Sequence, residues 1–461
     1  MAEATATRVD GPLGRAYLEV TLAVLALVTI VAFEAMAVST AMPAVARDLD
    51  AVRSYGFAFS VMLTAQLLGI VLAGVWSDRS GPMVGAVTGQ VLLAAGAAMC
   101  GFATNLPLFL AGRALTGLGG GLLVVMLYVI AGRVYPEAIR PRLFTYVSAA
   151  WVLPSLLGPP VSAWLTTNLS WRWVFWGVVP PVLITLAALT HARSRIDDST
   201  LTEAVSSRDH SAHVRIAWAG LGIALSAGAL QLGTYELVLK ISPRTGLAVL
   251  GLVGIALTAP MLVPPGTWRM ARGLPSVMLA RALFVGAFYA SITYVPLFLV
   301  GQRGLTLQMA GLALAVGAIG WAAGAWYQGH DHLHLPRYRL VEVGALLLAV
   351  GLAVLSAVAW LGLAWWIVPV SLVVSGVAMG LGVTTTTVLA LELSPVEEHG
   401  AASSSLQLAD VLGSVIGIAA ATAAFAAWHV PGQDDALFGA IFLGLALVAA
   451  LAVPAGQRIR S

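Results

Sequence analysis

Cysteine is almost absent from this sequence, since Cys100 is the single one among 461 residues. One cysteine excludes a disulfide framework and the paired-thiol spacing of zinc and dithiol redox sites. Charged residues make up only 10%, and the 24 basic ones form no cluster interleaved with aromatic residues, so nucleic acid is not an expected partner. No glycine-rich phosphate loop, nucleophile motif or CxxC pair occurs. We therefore expect neither enzyme chemistry nor a cofactor.

Apolar residues dominate the composition, at 59%, with a mean hydropathy of +0.91. Fourteen apolar stretches follow one another from Tyr17 to Pro454, and a helix needs about 20 apolar residues to cross a bilayer. The sequence therefore predicts an all-α polytopic membrane protein with fourteen transmembrane helices, surrounded by membrane lipid. The predicted spans are 17–43, 55–76, 83–103, 106–131, 143–165, 173–190, 216–235, 246–264, 276–300, 307–328, 340–359, 364–390, 403–428 and 436–454.

The distribution of basic residues predicts the orientation of the chain. An even number of spans places both termini on one side, and most arginines fall in the segments on that side, which the positive-inside rule assigns to the cytoplasm. The first apolar run, residues 16–42, is too long for a cleaved signal peptide. We expect a multi-pass protein of the cell membrane, in the inner membrane of a bacterium, with both termini cytoplasmic.

A polar segment divides the predicted spans into two groups. Residues 192–215 are the longest polar stretch and follow the sixth span, as a cytoplasmic linker between two bundles would. The predicted organisation is an N-terminal six-helix bundle over 1–191, this linker, two extra central helices within 216–275, and a C-terminal six-helix bundle over 276–461.

Three charged residues lie deep inside predicted spans: Glu34, Arg113 and Asp410. A charge in hydrocarbon is costly unless it has a partner or water, so these positions are the first candidates for function. Arg281 is assigned to the cytoplasmic segments, which leaves Arg113 as the basic residue inside a span. By helical rise Glu34 lies about 13 Å and Arg113 about 10 Å from the outer ends of their helices, so the two can pair.

Burial favours the neutral form of a carboxylate, and a neighbouring arginine favours its charged form. A Glu34 side chain that alternates between such surroundings would load and release a proton, whereas a fixed Glu34–Arg113 ion pair would not. Asp410 lies about 10 Å from the inner end of its helix. It is a candidate for a second proton site or for binding a cationic substrate, and equally for a polar residue near the cytoplasmic mouth.

The predicted turn between the second and third spans carries a recognisable motif. Residues 74–82 read GVWSDRSGP and resemble the Gly-x-x-x-Asp-Arg-x-Gly signature of major facilitator superfamily transporters. The resemblance implies that Gly74, Asp78, Arg79 and Gly81 form a conformational latch. An ordinary polar turn is the alternative for this pattern taken alone.

Two further motifs extend the resemblance. Arg113 precedes the glycine-rich run 117–121, similar to the superfamily motif associated with proton coupling. Glu34 precedes an Ala-x-Pro ending at Pro43, similar to the end of the first helix in the fourteen-helix drug:proton antiporter branch. The resemblance implies a major facilitator fold and proton coupling through Glu34 and Arg113. Asp410 does not belong to a motif of this branch and is a proton-coupling candidate only because it lies inside a predicted span.

The fifth predicted span holds Pro154 and then Gly158-Pro159, which resemble the Gly-Pro motif that marks exporters of this superfamily. Proline removes an amide donor and bends a helix, while glycine lets a neighbour pack closely. The segment therefore suits a hinge or a tight seal at the outer gate, or else is only a kinked helix.

Taken together, the motifs predict a proton-coupled secondary active transporter, a multidrug efflux antiporter that exports hydrophobic or cationic small molecules by alternating access. Its expected partners are protons and a small-molecule substrate. Two alternatives stay open: a same-fold exporter or importer of a lipid or metabolite, and a non-transporting membrane scaffold or sensor. The weakest candidates are polar residues for substrate contact, namely Gln66, Gln231, Tyr294 and Gln407.

Residues 330–334 read HDHLH and present three imidazoles and a carboxylate, which are good metal ligands. Histidines at alternate positions of a short polar loop more often form a solvated turn. We expect no metal site.

Overall fold

Long α-helices follow one another through the whole described part of the chain. The computed structural model describes residues 11–14, 17–136, 139–191, 210–234, 243–329, 336–395 and 399–460. Within the helices, the side chains of 74–81, of 210–217 and of a few other positions lie outside this description.

The described residues of the first part of the chain form eight helices. They are α1 (Leu18–Asp48), α2 (Tyr55–Gly101), α3 (Leu106–Val134), α4 (Arg140–Asn168), α5 (Arg172–Trp176), α6 (Val179–His191), α7 (His210–Thr234) and α8 (Pro243–Thr258). Local sequence explains several boundaries. For example, the Asn105 side chain accepts a hydrogen bond from the Leu108 amide at 2.9 Å and begins α3, with Pro107 in its first turn.

In the second part, two short 3₁₀ turns, Ala259–Met261 and Thr267–Arg269, precede seven helices formed by the residues that the structure describes. They are α9 (Leu274–Gly301), α10 (Leu307–Gln328), α11 (Arg337–Trp360), α12 (Ile367–Glu392), α13 (His399–Trp428), α14 (Asp435–Ala450) and α15 (Ala452–Gln457). We call the side of Leu18 the terminus side and the side of Asp48 the far side. Tyr294, near the end of α9, contacts Tyr55 at the far-side start of α2, so α9 begins on the terminus side. Arg458 lies on that side too, because its carbonyl accepts a hydrogen bond from the Gly273 amide just before α9.

Twelve helical segments of the described chain are long and apolar enough to cross a membrane. The all-helical polytopic architecture is therefore confirmed, and the count of fourteen is not. The two expected spans outside the twelve are 143–165 and 216–235, which fall on α4 and α7. Three prolines lie within α4, and the first eight residues of α7 have no described side chains.

The predicted turn at 74–82 lies within α2, which is 47 residues long. The chain nevertheless reverses direction there, because the first part of α2 runs parallel to α3 and the second part runs antiparallel to it. Met62 and Gln66, in the first part of α2, lie close to Gly117 and Gly121 of α3, in the same order along the chain. Gly85 and Gly96, in the second part, lie close to Met126 and Gly112 of α3, in the opposite order. The expected reversal is thus present, as a helical bend and not as a loop.

Helix α4 runs alongside α1 toward the far side. The Ser162 hydroxyl donates to the Ala37 carbonyl at 2.6 Å, and Trp171, just beyond α4, donates to Asp48 at 3.0 Å. Near the terminus side, α3 ends beside the start of α1, where the Thr21 and Tyr135 hydroxyls are 2.7 Å apart. Burial raises the pKa of Tyr135 to about 12, so this hydroxyl keeps its proton at neutral pH.

Small residues allow α7 and α8 to pack closely as an antiparallel pair. The approaches are Ser226 to Gly254, Leu230 to Gly251, Ala248 to Gly233 and Thr258 to Gly222. Close backbone approach of this kind is how helices associate in lipid, where apolar side chains gain little from contact with one another.

The glycines of α3 give a test of this packing. A Cβ at Gly121 would lie 2.2 Å from the Gln66 carbonyl oxygen, whereas a Cβ at Gly120 meets nothing within 4 Å. We expect Gly121→Ala to lower the free energy of unfolding by about 1–3 kcal/mol through overpacking. Gly120→Ala is the matched control and should be neutral or stabilising. Thermal unfolding of the purified variants measures the difference, and equal midpoints would contradict the close approach.

Candidate functional site

The deepest charged group in the N-terminal half is a buried ion pair between Glu34 of α1 and Arg113 of α3. The Arg113 guanidinium bonds directly to a Glu34 carboxylate oxygen, and both side chains are at most 2% exposed. Arg113 also reaches the Ala58 carbonyl at 3.4 Å and the Met62 sulfur at 2.8 Å, both on α2. The structure therefore brings together the two residues that the sequence predicted to pair.

The surroundings explain why both charges are tolerated. A lone arginine or carboxylate in the membrane interior is costly, while a bonded pair removes most of that penalty. The pair ties three helices together, because Arg113 contacts α1 through Glu34 and α2 through Ala58. Besides Glu34, Arg113 has only the Ala58 carbonyl and the Met62 sulfur as partners among the described residues.

A second ion pair lies in the C-terminal half, between Arg281 of α9 and Asp410 of α13. The Arg281 Nε is 2.5 Å from one Asp410 oxygen, and a terminal nitrogen is 2.8 Å from the other, which makes the pair bidentate. The remaining terminal nitrogen donates to the Val383 carbonyl at 2.5 Å and to the Thr387 hydroxyl at 3.0 Å. Arg281 is thus fully occupied, and Asp410 remains 26% exposed.

This pair corrects the sequence analysis, which assigned Arg281 to a cytoplasmic segment and left Arg113 as the intramembrane arginine. Arg281 lies within the apolar helix Leu274–Gly301, seven residues from its start. The sequence did contain evidence against the cytoplasmic assignment, because Arg281 falls inside the predicted span 276–300. The choice of Asp410 as its partner depends on α9 and α13 packing side by side, which no sequence pattern showed.

The two ion pairs lie near opposite sides of the helical bundle, the first toward the far side and the second toward the terminus side. By helical rise Arg113 lies about 10 Å from the far-side end of α3, and Arg281 about 10 Å from the terminus-side end of α9. Each pair stays within its own half of the chain. The halves can therefore move against each other without breaking either pair.

On the far side the two halves are joined by aromatic and small residues. Tyr55 of α2 contacts the Tyr294 ring of α9, with centroids 5.6 Å apart, and Tyr294 contacts Phe425 of α13 at 5.4 Å. The Tyr294 hydroxyl donates to Thr422 at 3.2 Å. Tyr294, which the sequence predicted to contact substrate, is fully buried among these residues, which we call the far-side seal.

The Gly-Pro segment of α4 takes part in the same seal. Gly158 packs against Met36 of α1, where an added Cβ would lie 3.4 Å from the Met36 Cβ. On its other side, α10 approaches so closely that a Cβ on Gly311 would lie 2.9 Å from the Pro159 carbonyl oxygen and 3.1 Å from Thr40. Gly158 and Pro159 are buried where the two halves meet, as is Pro154 one turn earlier in α4.

On the terminus side, Tyr128 of α3 interacts with Gln407 of α13, one turn before Asp410. This contact links the halves beside the second ion pair. Gln66 is half-buried, and Gln231 is buried with neither side-chain polar atom bonded to the described residues.

The structure does not describe two groups of residues that the sequence analysis singled out. The side chains of the latch residues Gly74, Asp78, Arg79 and Gly81 belong to the undescribed stretch of α2, and the histidine-rich segment 330–334 is also outside it. Among the described residues, no group of three or more histidine, cysteine or acidic side chains could hold a metal.

Comparison with known proteins matches residues 24–418 to the Major Facilitator Superfamily. The multidrug transporter protein MdtP of Bacillus subtilis (strain 168) is 24% identical over 402 residues, covering 84% of this chain and 71% of MdtP. The uncharacterized MFS-type transporter Rv1877 of Mycobacterium tuberculosis (strain ATCC 25618 / H37Rv) is 26% identical over 438 residues. That match covers 90% of this chain but only 60% of the mycobacterial protein.

Among solved structures, a POT family transporter in complex with 5-aminolevulinic acid has the same fold. The TM-score is 0.70 at 15% sequence identity, with 96% of each chain covered. At this identity the likeness establishes the fold and carries no information on the substrate.

A double-mutant cycle tests the coupling of Arg281 to Asp410. We expect Asp410→Asn to lower the free energy of unfolding by about 2 kcal/mol, since it leaves a buried guanidinium without its counter-charge; the partial exposure of Asp410 moderates this loss. Adding Arg281→Gln should recover part of that loss, because no unpaired charge then remains. Denaturant unfolding of the four proteins measures the coupling, and strictly additive single changes would contradict it.

Proposed function

Because the chain belongs to the Major Facilitator Superfamily, and is therefore a membrane transporter and not an enzyme, we propose that it is a proton-coupled antiporter. In this proposal it exports hydrophobic or cationic small molecules across the cell membrane of a bacterium. The observation that carries the proposal is the buried Glu34–Arg113 pair, which lies in the half of α1 and α3 nearest the far-side seal.

The pair supports proton coupling through its burial. Glu34 is sealed from water while the far side is closed, and its charge is held by Arg113. If the far side opens and water reaches α1, protonation of Glu34 releases Arg113 toward the Ala58 carbonyl. If the site then faces the cytoplasm, the proton leaves and the ion pair forms again. A proton is thus carried inward for each cycle, which drives an outward substrate step.

The proposed direction rests on the contacts of the Gly-Pro segment. Pro159 and Thr40 of the first half meet Gly311 of the second half with no space for a single methyl group. These backbone contacts bring the two halves together beside the aromatic contacts of Tyr55, Tyr294 and Phe425. Such a seal suits an outer gate that opens to release substrate and closes against its return.

The proposed substrate class rests on chemistry and on relatives. The walls of the two bundles are mostly apolar, which favours lipophilic molecules over sugars or phosphates. Asp410 is the partly exposed carboxylate of the second pair, and its exposed face would attract a cation. The name of MdtP as a multidrug transporter agrees with this class.

We extend the proposal to the topology. Helix α4 follows α1 to the far side, and α7 pairs lengthwise with α8, itself one of the twelve candidate spans, so we propose that α4 and α7 also cross the membrane. The chain would then have fourteen spans, organised as bundles over 1–191 and 276–461 joined by the linker 192–215 and the extra helices within 216–275. Both termini would be cytoplasmic.

We also propose a conformational latch on the cytoplasmic side. Gly74, Asp78, Arg79 and Gly81 lie at the terminus-side reversal of α2, where a polar contact to the opposite half would hold the cytoplasmic gate. Tyr128 and Gln407 join the halves on that same side.

The decisive test is Glu34→Gln in proteoliposomes with an imposed pH gradient and a fluorescent cationic dye. Glutamine keeps the shape and a hydrogen bond to Arg113 but cannot exchange a proton. We expect gradient-driven dye transport to fall at least about tenfold, while dye binding, measured by fluorescence anisotropy, changes less than about threefold.

The matched control is Glu392→Gln, since Glu392 also pairs with an arginine, Arg337, but is 51% exposed. It should transport at the wild-type rate. Full gradient-driven transport by Glu34→Gln would refute the coupling role. Loss of both binding and transport by a folded Glu34→Gln protein would assign Glu34 a structural role instead.

The far-side seal makes a separate prediction. Gly311→Ala places a methyl group against the Pro159 carbonyl, so the closed seal is strained and the population open on the far side rises. A cysteine at Ser39, buried in α1, reports the opening through its rate of maleimide labelling in a Cys100→Ala background. We expect labelling several-fold faster with Gly311→Ala. Gly301→Ala, whose Cβ would meet nothing within 4 Å, should leave the rate unchanged.

A further inference from the structure

Arginines cluster at the terminus-side end of the C-terminal half. Two adjoining cavities of about 700 and 460 Å³ lie between the start of α9, the start of α11 and the C-terminal helix α15. Their walls include Arg272, Arg339, Arg458 and Arg460, and both cavities share Gln457 and Arg460. We call this group the arginine cluster.

The cluster carries a positive charge that the described residues do not balance. None of its four arginines forms an ion pair with a described carboxylate, and Glu342 is the one acidic residue in the cavity walls. Arg460 lies over the Tyr338 ring at 4.8 Å, and Arg458 makes only a 3.4 Å contact with the Met270 carbonyl. Like charges are thus held close together at a concave surface, an arrangement that an anion would stabilise.

The position of the cluster indicates which anion. Leu274, Arg337 and Gln457 are the terminus-side ends of three candidate membrane spans, so the cavities lie at the level of lipid headgroups. Trp268, 46% exposed, stands just before the cavity residues 270–272, and Tyr338 lies beneath Arg460, as aromatic residues do at membrane interfaces. A ligand in these two cavities would contact the arginines with one end and the surrounding membrane with the rest of the molecule.

We propose that the arginine cluster is a binding site for the phosphodiester headgroup of an anionic lipid in the leaflet on the terminus side. The guanidinium groups of Arg272 and Arg460 would each offer paired donors to phosphate oxygens. The acyl chains would extend along the lipid-facing surface of the bundle. Such a lipid joins α9, α11 and α15 at the base of the C-terminal half, below the Arg281–Asp410 pair.

The test uses the purified full-length protein in detergent and native mass spectrometry with added phosphatidylglycerol, cardiolipin or phosphatidylcholine. Removing two arginines near a membrane surface weakens anion binding by about ten- to thirtyfold. We therefore expect Arg272→Gln/Arg460→Gln to lose bound anionic lipid by that factor. Arg47→Gln/Arg53→Gln, which removes two exposed arginines on the far side, should retain it.

A second variant protects the test against misfolding. Arg272→Lys/Arg460→Lys keeps the charge but loses the paired donors, so its retention of anionic lipid should lie between those of the wild type and the glutamine variant. Inorganic phosphate is the competing probe: if it binds to the wild type as well as the lipid does and displaces it, the site is for a free anion and the lipid proposal is overturned. Equal retention of phosphatidylcholine and phosphatidylglycerol, or unchanged retention by the glutamine variant, would also overturn it.

Discussion

The buried ion pair between Glu34 and Arg113 is the constraint on which the N-terminal half depends. A charge in the membrane interior costs several kcal/mol unless it is compensated, so neither residue is tolerable without the other. Their contact fixes α1 against α3, and the bond from Arg113 to the Ala58 carbonyl adds α2. The same energetic requirement is the reason that we propose Glu34 as the proton-coupling residue.

The second pair, Arg281–Asp410, gives the C-terminal half an equivalent point of rigidity at the opposite depth. It differs in one respect that matters for function, since Asp410 is partly exposed whereas Glu34 is sealed. The two halves are each held internally by charge and are held to each other by small-residue and aromatic contacts. Strong bonds within the halves and weak contacts between them are what a pair of bundles needs if it is to rock as two rigid bodies.

Small residues carry much of the packing in this protein. Met62 and Gln66 of α2 approach glycines of α3 at backbone distance, and Gly311 does the same against Pro159 across the two halves. In lipid, helices gain little by burying apolar side chains, so backbone approach and interhelical hydrogen bonds provide the association. The glycine-rich run after Arg113 therefore serves the packing of α2 on α3 as well as giving space beside the charge.

The sequence by itself determined the class of protein, because helix length and hydropathy follow directly from the thickness of a bilayer. It also predicted that Glu34 and Arg113 can pair, since intramembrane charges are rare and the depths of the two residues could be compared by helical rise. Two results required the tertiary structure: Arg281 partners Asp410, and Tyr294 is buried between Tyr55 and Phe425. Those outcomes depend on which helices become neighbours, and a pattern of apolar residues specifies that a helix is buried in lipid or protein without specifying the helix beside it.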